Sequence, residues 1–105
     1  MLIVVLKRFE FNYDNMKKYK VNDYCSFPFD LNMKKYTSEF LNQQEFYPDS
    51  YYDFKLRGVI VHYGTSEAGH YYSYIKDKED WFEFNDEMVS QFNPSSIQTE
   101  TFGGT

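Results

Sequence analysis

Two stretches of this chain carry side chains suited to moving a proton. His70 follows a glycine in the run Gly69-His70-Tyr71-Tyr72-Ser73-Tyr74, and Asn85 and Asp86 close the run Trp81-Phe82-Glu83-Phe84-Asn85-Asp86. Imidazole exchanges a proton near neutral pH. When an amide or carboxylate holds its far nitrogen, it becomes the base half of a cysteine-type hydrolytic apparatus. A thiol with pKa near 8.5 is only a few per cent thiolate at neutral pH, so a neighbouring base must take its proton. The nucleophile half is not evident in these 105 residues. The chain is therefore expected to hold part of such an apparatus.

Bringing the two ends together is a task for a hairpin. If residues 70–76 and 81–85 pair around a charged turn at 77–80, His70 and Asn85 lie at the same end of the sheet. Alternation along a strand sends Asn85 and Asp86 to opposite sides, so only one of them can face His70. Alternation alone leaves open which of the two makes the contact. On spacing alone an ordinary sheet histidine and an ordinary turn explain the same residues. His62 is the other histidine, and no second ligand stands near it, so neither a metal site nor a cofactor is expected. Cys25 sits in Tyr24-Cys25-Ser26-Phe27-Pro28, read as the end of a strand. A thiolate is favoured at a helix N-terminus, so Cys25 reads as a structural thiol.

The remaining elements follow from pattern. Leu2 to Leu6 is a continuous apolar, β-branched run, expected to be a strand covered on both faces. Phe9, Phe11 and Tyr13 share one face of its continuation. Residues 14–18 form a polar turn, and Tyr19 to Phe27 reads as a returning strand ended by Pro28. Asp30-Leu31-Asn32-Met33 is expected to start a short helix capped by Asp30 or Asn32. Residues 37–52 read as an insertion or loop. Phe54 to Tyr63 reads as one strand with a bulge at Gly58, and Gly64 to Gly69 as a glycine-bounded loop. Met88, Val89 and Phe92 are apolar anchors, and Asn93-Pro94-Ser95-Ser96 caps a last brief helix.

Bulk properties narrow the function classes. Aromatic residues make up 22% of the chain, with 11 Tyr and 11 Phe, enough apolar mass for a core. The net charge of −5 argues against a nucleic-acid role built on phosphate contacts. A single Cys makes no internal disulfide and no zinc ribbon. No apolar run approaches the roughly 20 residues that cross a bilayer, so no membrane role is expected.

Four blocks, in order, resemble the C-terminal half of the catalytic domain of ubiquitin-specific proteases. They are Leu2-Ile3-Val4-Val5-Leu6-Lys7-Arg8-Phe9; Lys20-Val21-Asn22 with Phe27-Pro28 and Leu31; Leu56 and Gly58-Val59-Ile60-Val61-His62 with Gly64 and Gly69-His70-Tyr71-Tyr72-Ser73-Tyr74; and Trp81-Phe82 with Phe84-Asn85-Asp86 and Val89. The ending Phe102-Gly103-Gly104 is similar to the large-protein branch of that family. The resemblance implies an α+β fold, the predominantly antiparallel sheet half of a papain-like cysteine protease. Residues 1–105 would be the C-terminal part of such a domain, without its nucleophile-bearing part and final strand.

The same resemblance implies hydrolysis of the bond after the ubiquitin C-terminal Gly-Gly, with ubiquitin and ubiquitinated proteins as partners and an intracellular address, cytoplasmic or nuclear. His70 would be the general base, Asn85 its orienting partner and Asp86 an acidic support. Phe9, Tyr63, Gly69 and Tyr71 would line the passage for the ubiquitin tail, with the turns at 10–19 and 63–68 beside it. A tail without side chains is selected by a narrow passage, for which Gly69 leaves room and Tyr71 offers a flat wall. The family's nucleophile and its paired-Cys zinc ligands fall outside these blocks. The competing readings are a catalytically inactive ubiquitin-binding domain of the same fold, and an unrelated β scaffold with a chance Gly-His-Tyr. Four ordered blocks oppose the latter.

Overall fold

The computed structural model of the chain describes residues 1–42 and 47–104. Its fold is α+β and predominantly antiparallel sheet. The chain divides into two compact units, one of Met1–Leu2 with Phe27–Leu56, the other of Ile3–Ser26 with Arg57–Thr105.

In the second unit, β1 (Phe9–Asn12) and β2 (Lys17–Lys20) form a hairpin with Phe9 opposite Lys20. Its turn is built by asparagines: Asn12 Oδ1 accepts from Asp14 N, and Asn15 Oδ1 accepts from Lys17 N. Two expectations fail around this hairpin. Among the described residues, 2–6 join no ladder, and they stay exposed, Val5 at 79%. A β-branched run favours extended backbone, but a strand also needs a neighbour for its N–H and C=O groups. The returning strand stops at Lys20, short of Phe27. Arg8 Nη1 donates to Val21 O at 3.1 Å and Asp23 O at 2.8 Å, while Gly104 N donates to Asn22 O and Cys25 N to Phe102 O. Val21 N also donates to Arg8 O, so the bonds of residues 21–25 go to Arg8, backbone and guanidinium, and to residues 102–104.

The first unit pairs β3 (Asp30–Asn32) with β4 (Asp53–Lys55), Leu31 opposite Phe54. The helix expected at Asp30 is therefore a strand, because β4 offers it a ladder. Asn32 still caps locally: its Oδ1 accepts from Lys34 N and opens a 3₁₀ turn, Lys34–Tyr36. The helix α1 (Ser38–Leu41) comes later, with Thr37 Oγ1 accepting from Phe40 N. Residues 37–52 thus hold α1 and a second 3₁₀ turn, Asp49–Tyr52, rather than one loop, and Tyr52 is buried. Residues 43–46 of that stretch lie outside the described residues.

The expected strand from Phe54 to Tyr63 is two. It breaks at Leu56 and Arg57, and Gly58 opens β5 (Gly58–Gly64) rather than bulging inside it. The sheet continues through β6 (Gly69–Asp77), β7 (Asp80–Asn85) and β8 (Met88–Phe92) as a meander in chain order. The turns are short: residues 65–68, then Lys78 and Glu79, then Asp86 and Glu87. Lys78 and Asp86 hold the left-handed conformation, with φ of 57° and 52°. Asn93 Oδ1 accepts from Ser95 N and caps a 3₁₀ turn, Pro94–Ser96, which leads into α2 (Ile97–Thr101); the N-cap of α2 itself, Ser96, makes no side-chain bond.

Alternation divides this sheet into two faces. Val59, Val61, Tyr63, His70, Tyr72, Tyr74, Trp81, Glu83, Asn85 and Phe92 share one. On it Tyr74 and Trp81 are buried, Phe92 stacks on Tyr74 at 4.0 Å between ring centres, and Ile97 and Phe102 complete the unit's core. The other face carries Ile60, His62, Gly69, Tyr71, Ile75 and Val89, and its large side chains are mostly open to solvent.

Ile97 is 2% exposed, so truncation removes its packing outright. Ile97→Val is expected to lower unfolding free energy by about 0.5–1.5 kcal/mol and Ile97→Ala by about 2–5 kcal/mol, read by urea denaturation. Equal costs for the two would show that this core does not hold the unit together.

Candidate active site

His70 is the second residue of β6 and Asn85 the last of β7. The hairpin register pairs Ser73 with Phe84. One step further, Asn85 stands opposite Tyr72, two positions from His70 on the same face. Same-face diagonal neighbours in a sheet lie within reach of long side chains. His70 Nε2 stands 2.6 Å from Asn85 Oδ1. An amide oxygen only accepts, so Nε2 carries the hydrogen and donates. In the neutral ring this leaves Nδ1 with a free lone pair, the state a base requires. Tyr72 lies nearly parallel to the imidazole at 6.5 Å, and Tyr63 pairs with His70 across from β5.

Asp86 is placed differently. Its Oδ2 is 3.9 Å from His70 Nε2, beyond hydrogen-bond length, and its side chain is 78% exposed. The left-handed turn at Asp86 carries the chain out of the strand just after Asn85. The contact expected of Asn85 rather than Asp86 is the one present.

Of the proposed lining residues, Tyr63 lies on the His70 face, while Phe9, Gly69 and Tyr71 belong to a cluster on the reverse face. Its centre is His62, whose ring meets Phe9 edge-on at 5.1 Å and Tyr71 at 4.8 Å. Lys20 Nζ donates to His62 O at 2.9 Å, and Ser66 Oγ donates to Lys18 O at 3.1 Å. These bonds tie the β1–β2 hairpin to β5 and to the turn beside Gly69. The space that a side chain at 69 would occupy is filled by the His62 ring.

Sequence reasoning set His62 aside as a non-ligand and missed this placement. A signal was present, since counting back from a hairpin closed by Gly64 and Gly69 pairs His62 with Tyr71. Desolvation, then the nearby Lys20 charge, holds the His62 pKa below its ordinary 6.5. Burial likewise pushes the Tyr72 and Tyr74 hydroxyls above their ordinary values, so both stay protonated. Cys25 is half-buried in the segment hydrogen-bonded to Phe102, away from any helix start. Among the described residues no three His, Cys, Asp or Glu side chains converge as metal ligands, and no helix is long and apolar enough to cross a membrane.

Comparison with known proteins gives this geometry a family. The profile described as ubiquitin carboxyl-terminal hydrolase matches residues 1–102. Mouse ubiquitin carboxyl-terminal hydrolase 34 is 38% identical over 92% of the chain, and human ubiquitin carboxyl-terminal hydrolase 24 is 31% identical over 99%. The chain spans only 3% and 5% of those two proteins. Among solved structures, the SAGA Ubp8 DUB module has a TM-score of 0.73 at 33% identity, covering 93% of this chain and 21% of that one. A form of that module bound to monoubiquitin has a TM-score of 0.70 at 32% identity, covering 92% and 20%. The architecture is that of the sheet part of these papain-like domains.

The depressed His62 pKa fixes the sign of a pH effect. Below the ordinary 6.5 the unfolded chain takes up the proton more readily than the folded one. The stability contributed by neutral His62 is present above pH 6.5 and is lost as pH falls through that value towards the folded pKa. In His62→Phe this acid-side loss is expected to disappear. Amide exchange in β5 and β6, corrected for intrinsic rate, reports it; the same acid-side loss in His62→Phe would assign it to another group.

Proposed function

The chain belongs to the ubiquitin carboxyl-terminal hydrolase family, and on that premise we propose that residues 1–105 are the C-terminal part of a ubiquitin-specific protease catalytic domain. In this reading it supplies the general base and the base's orienting partner to a thiol-dependent deubiquitinase acting on intracellular ubiquitin conjugates. The observation that carries it is the 2.6 Å contact between His70 Nε2 and Asn85 Oδ1. The monoubiquitin bound to a structural neighbour supports ubiquitin as the partner.

The chemistry follows from that contact. His70 Nδ1 takes the proton of a cysteine thiol contributed by the rest of the domain, and the thiolate attacks the carbonyl carbon of the last ubiquitin glycine. The imidazolium then returns the proton to the leaving lysine amine, and a thioester remains. Water, deprotonated by the same nitrogen, hydrolyses the thioester and frees the ubiquitin carboxylate. Asn85 holds the ring in the Nε2–H tautomer throughout. Asp86, 3.9 Å from the ring, is the acidic support beside it. Tyr63 on one side, and Phe9, Gly69 and Tyr71 on the other, border the passage of the Gly-Gly tail.

A ubiquitin C-terminal fluorogenic substrate tests the assignment in the full-length protein. His70→Ala is expected to lower kcat by about 10²–10⁴-fold, with ubiquitin affinity within about threefold because binding draws on a broad surface. Asn85→Asp keeps an acceptor at the ring and should retain most turnover. Cys25→Ser should leave turnover unchanged, and residues 1–105 alone should show none. Turnover in His70→Ala above about a hundredth of the normal rate would refute the base. Ubiquitin binding without any turnover by the natural protein would establish the inactive binding domain instead.

A further inference from the structure

The strand end that carries His70 is gripped from both faces. On one, Asn85 holds the imidazole at 2.6 Å. On the other, the ring of His62 covers the Cα of Gly69. A Cβ added there would run into His62 Nε2, stand 2.7 Å from Cε1, and lie 2.8 Å from Tyr63 O. His62 is opposite Tyr71 in the ladder, so Gly69 is its diagonal neighbour, just as Asn85 is the diagonal neighbour of His70. The two clamps act on adjacent residues, 69 and 70, from opposite sides of one strand.

The His62 ring is itself fixed. Phe9 meets it edge-on, Tyr71 leans against it, and Lys20 Nζ binds its backbone carbonyl. Its Nδ1 is shut off from solvent and has no hydrogen-bond partner among the described residues. A buried imidazole nitrogen without a partner contributes nothing polar, so the ring serves there by its shape. The charge of Lys20 beside it opposes protonation, as does the loss of solvent.

We propose that His62 is a positioning residue for the base: its flat, uncharged ring is the wedge that fixes the Gly69–His70 backbone and so sets where His70 presents Nδ1. The inference rests on the reading of His70 as general base. A displacement of about 1 Å in a reacting group is enough to cost about 10²-fold in rate. Gly69 is then glycine because the wedge fills the place of a side chain.

Three variants of the full-length protein test this. His62→Ala removes the wedge, His62→Leu keeps apolar volume without a flat ring, and His62→Phe keeps the flat ring. His62→Ala is expected to lower kcat by about 10–100-fold with KM for the ubiquitin substrate within about threefold. His62→Leu should lose less, and supplies the comparison if the alanine protein does not fold. His62→Phe should return kcat to within about fivefold of the natural value. In spectra of protein labelled with ring-¹⁵N histidine, His70 should be a single Nε2–H tautomer in the natural protein and in His62→Phe, and mixed in His62→Ala or His62→Leu. Undiminished kcat in folded His62→Ala or His62→Leu would overturn the proposal, as would a rise in KM alone, which would mark His62 as a substrate contact. An unchanged His70 tautomer in all the variants would overturn it as well. If the natural protein turned over no ubiquitin substrate, the function reading would fail while the tautomer spectra still decided the wedge.

Discussion

Register between β6 and β7 is the constraint on which the site depends. The side-chain period of a strand is two, so a slip of one residue would send His70 and Asn85 to opposite faces. The register is fixed by the two-residue turn of Lys78 and Glu79 between Asp77 and Asp80. Lys78 accepts a left-handed backbone there, φ 57°, and the core enforces it. Trp81, Tyr74 and Phe92 all lie on the His70 face, and the first two are buried. A slip of β7 and β8 against β6 would turn Trp81 and Phe92 away from Tyr74, at about 1.5–3 kcal/mol of lost burial each. The aromatic core that stabilises the sheet therefore also aligns the imidazole with its amide.

A second constraint acts through the turns. Every link in the meander is short, and the three hairpins of the sheet close with a glycine or a left-handed residue at their start: Gly64, Lys78 and Asp86. Short turns leave little freedom at strand ends, where His70 and Asn85 both sit. Only the 65–68 turn is longer, and Ser66 bonded to Lys18 O anchors it to the β1–β2 hairpin. The proposed lining residues on the reverse face thus hang on one cluster around His62, while the His70–Asn85 contact hangs on the core.

Legibility in the sequence followed how locally each element is determined. The β6–β7 hairpin, the Asn93 cap and the glycine-bounded loop were readable because the turn residues and the strands they join are neighbours in the chain. The contact between His70 and Asn85 was readable for the same reason. The misreadings share the opposite cause. The run at 2–6 has strand composition but meets no ladder, and Asp30–Asn32 has cap residues but meets β4 from twenty positions on. Residues 21–25 read as strand, yet Arg8 and the segment 102–104 take their hydrogen bonds. Distant partners decide these stretches, and propensity does not announce them. β8 reads in the sequence only as scattered apolar anchors, because Ser90 interrupts one of its faces and Gln91 the other.

The division of labour between Asn85 and Asp86 follows from charge. A carboxylate at 2.6 Å would fix the same tautomer while favouring the imidazolium over the neutral ring. A neutral amide fixes the tautomer with little bias between the two protonation states. Setting the carboxylate at 3.9 Å and leaving it largely in water weakens its pull, since solvent screens an exposed pair strongly. The left-handed residue that places Asp86 there is also the one that begins the turn into β8. One backbone conformation thus ends the strand, keeps the amide in contact and holds the charge one step away.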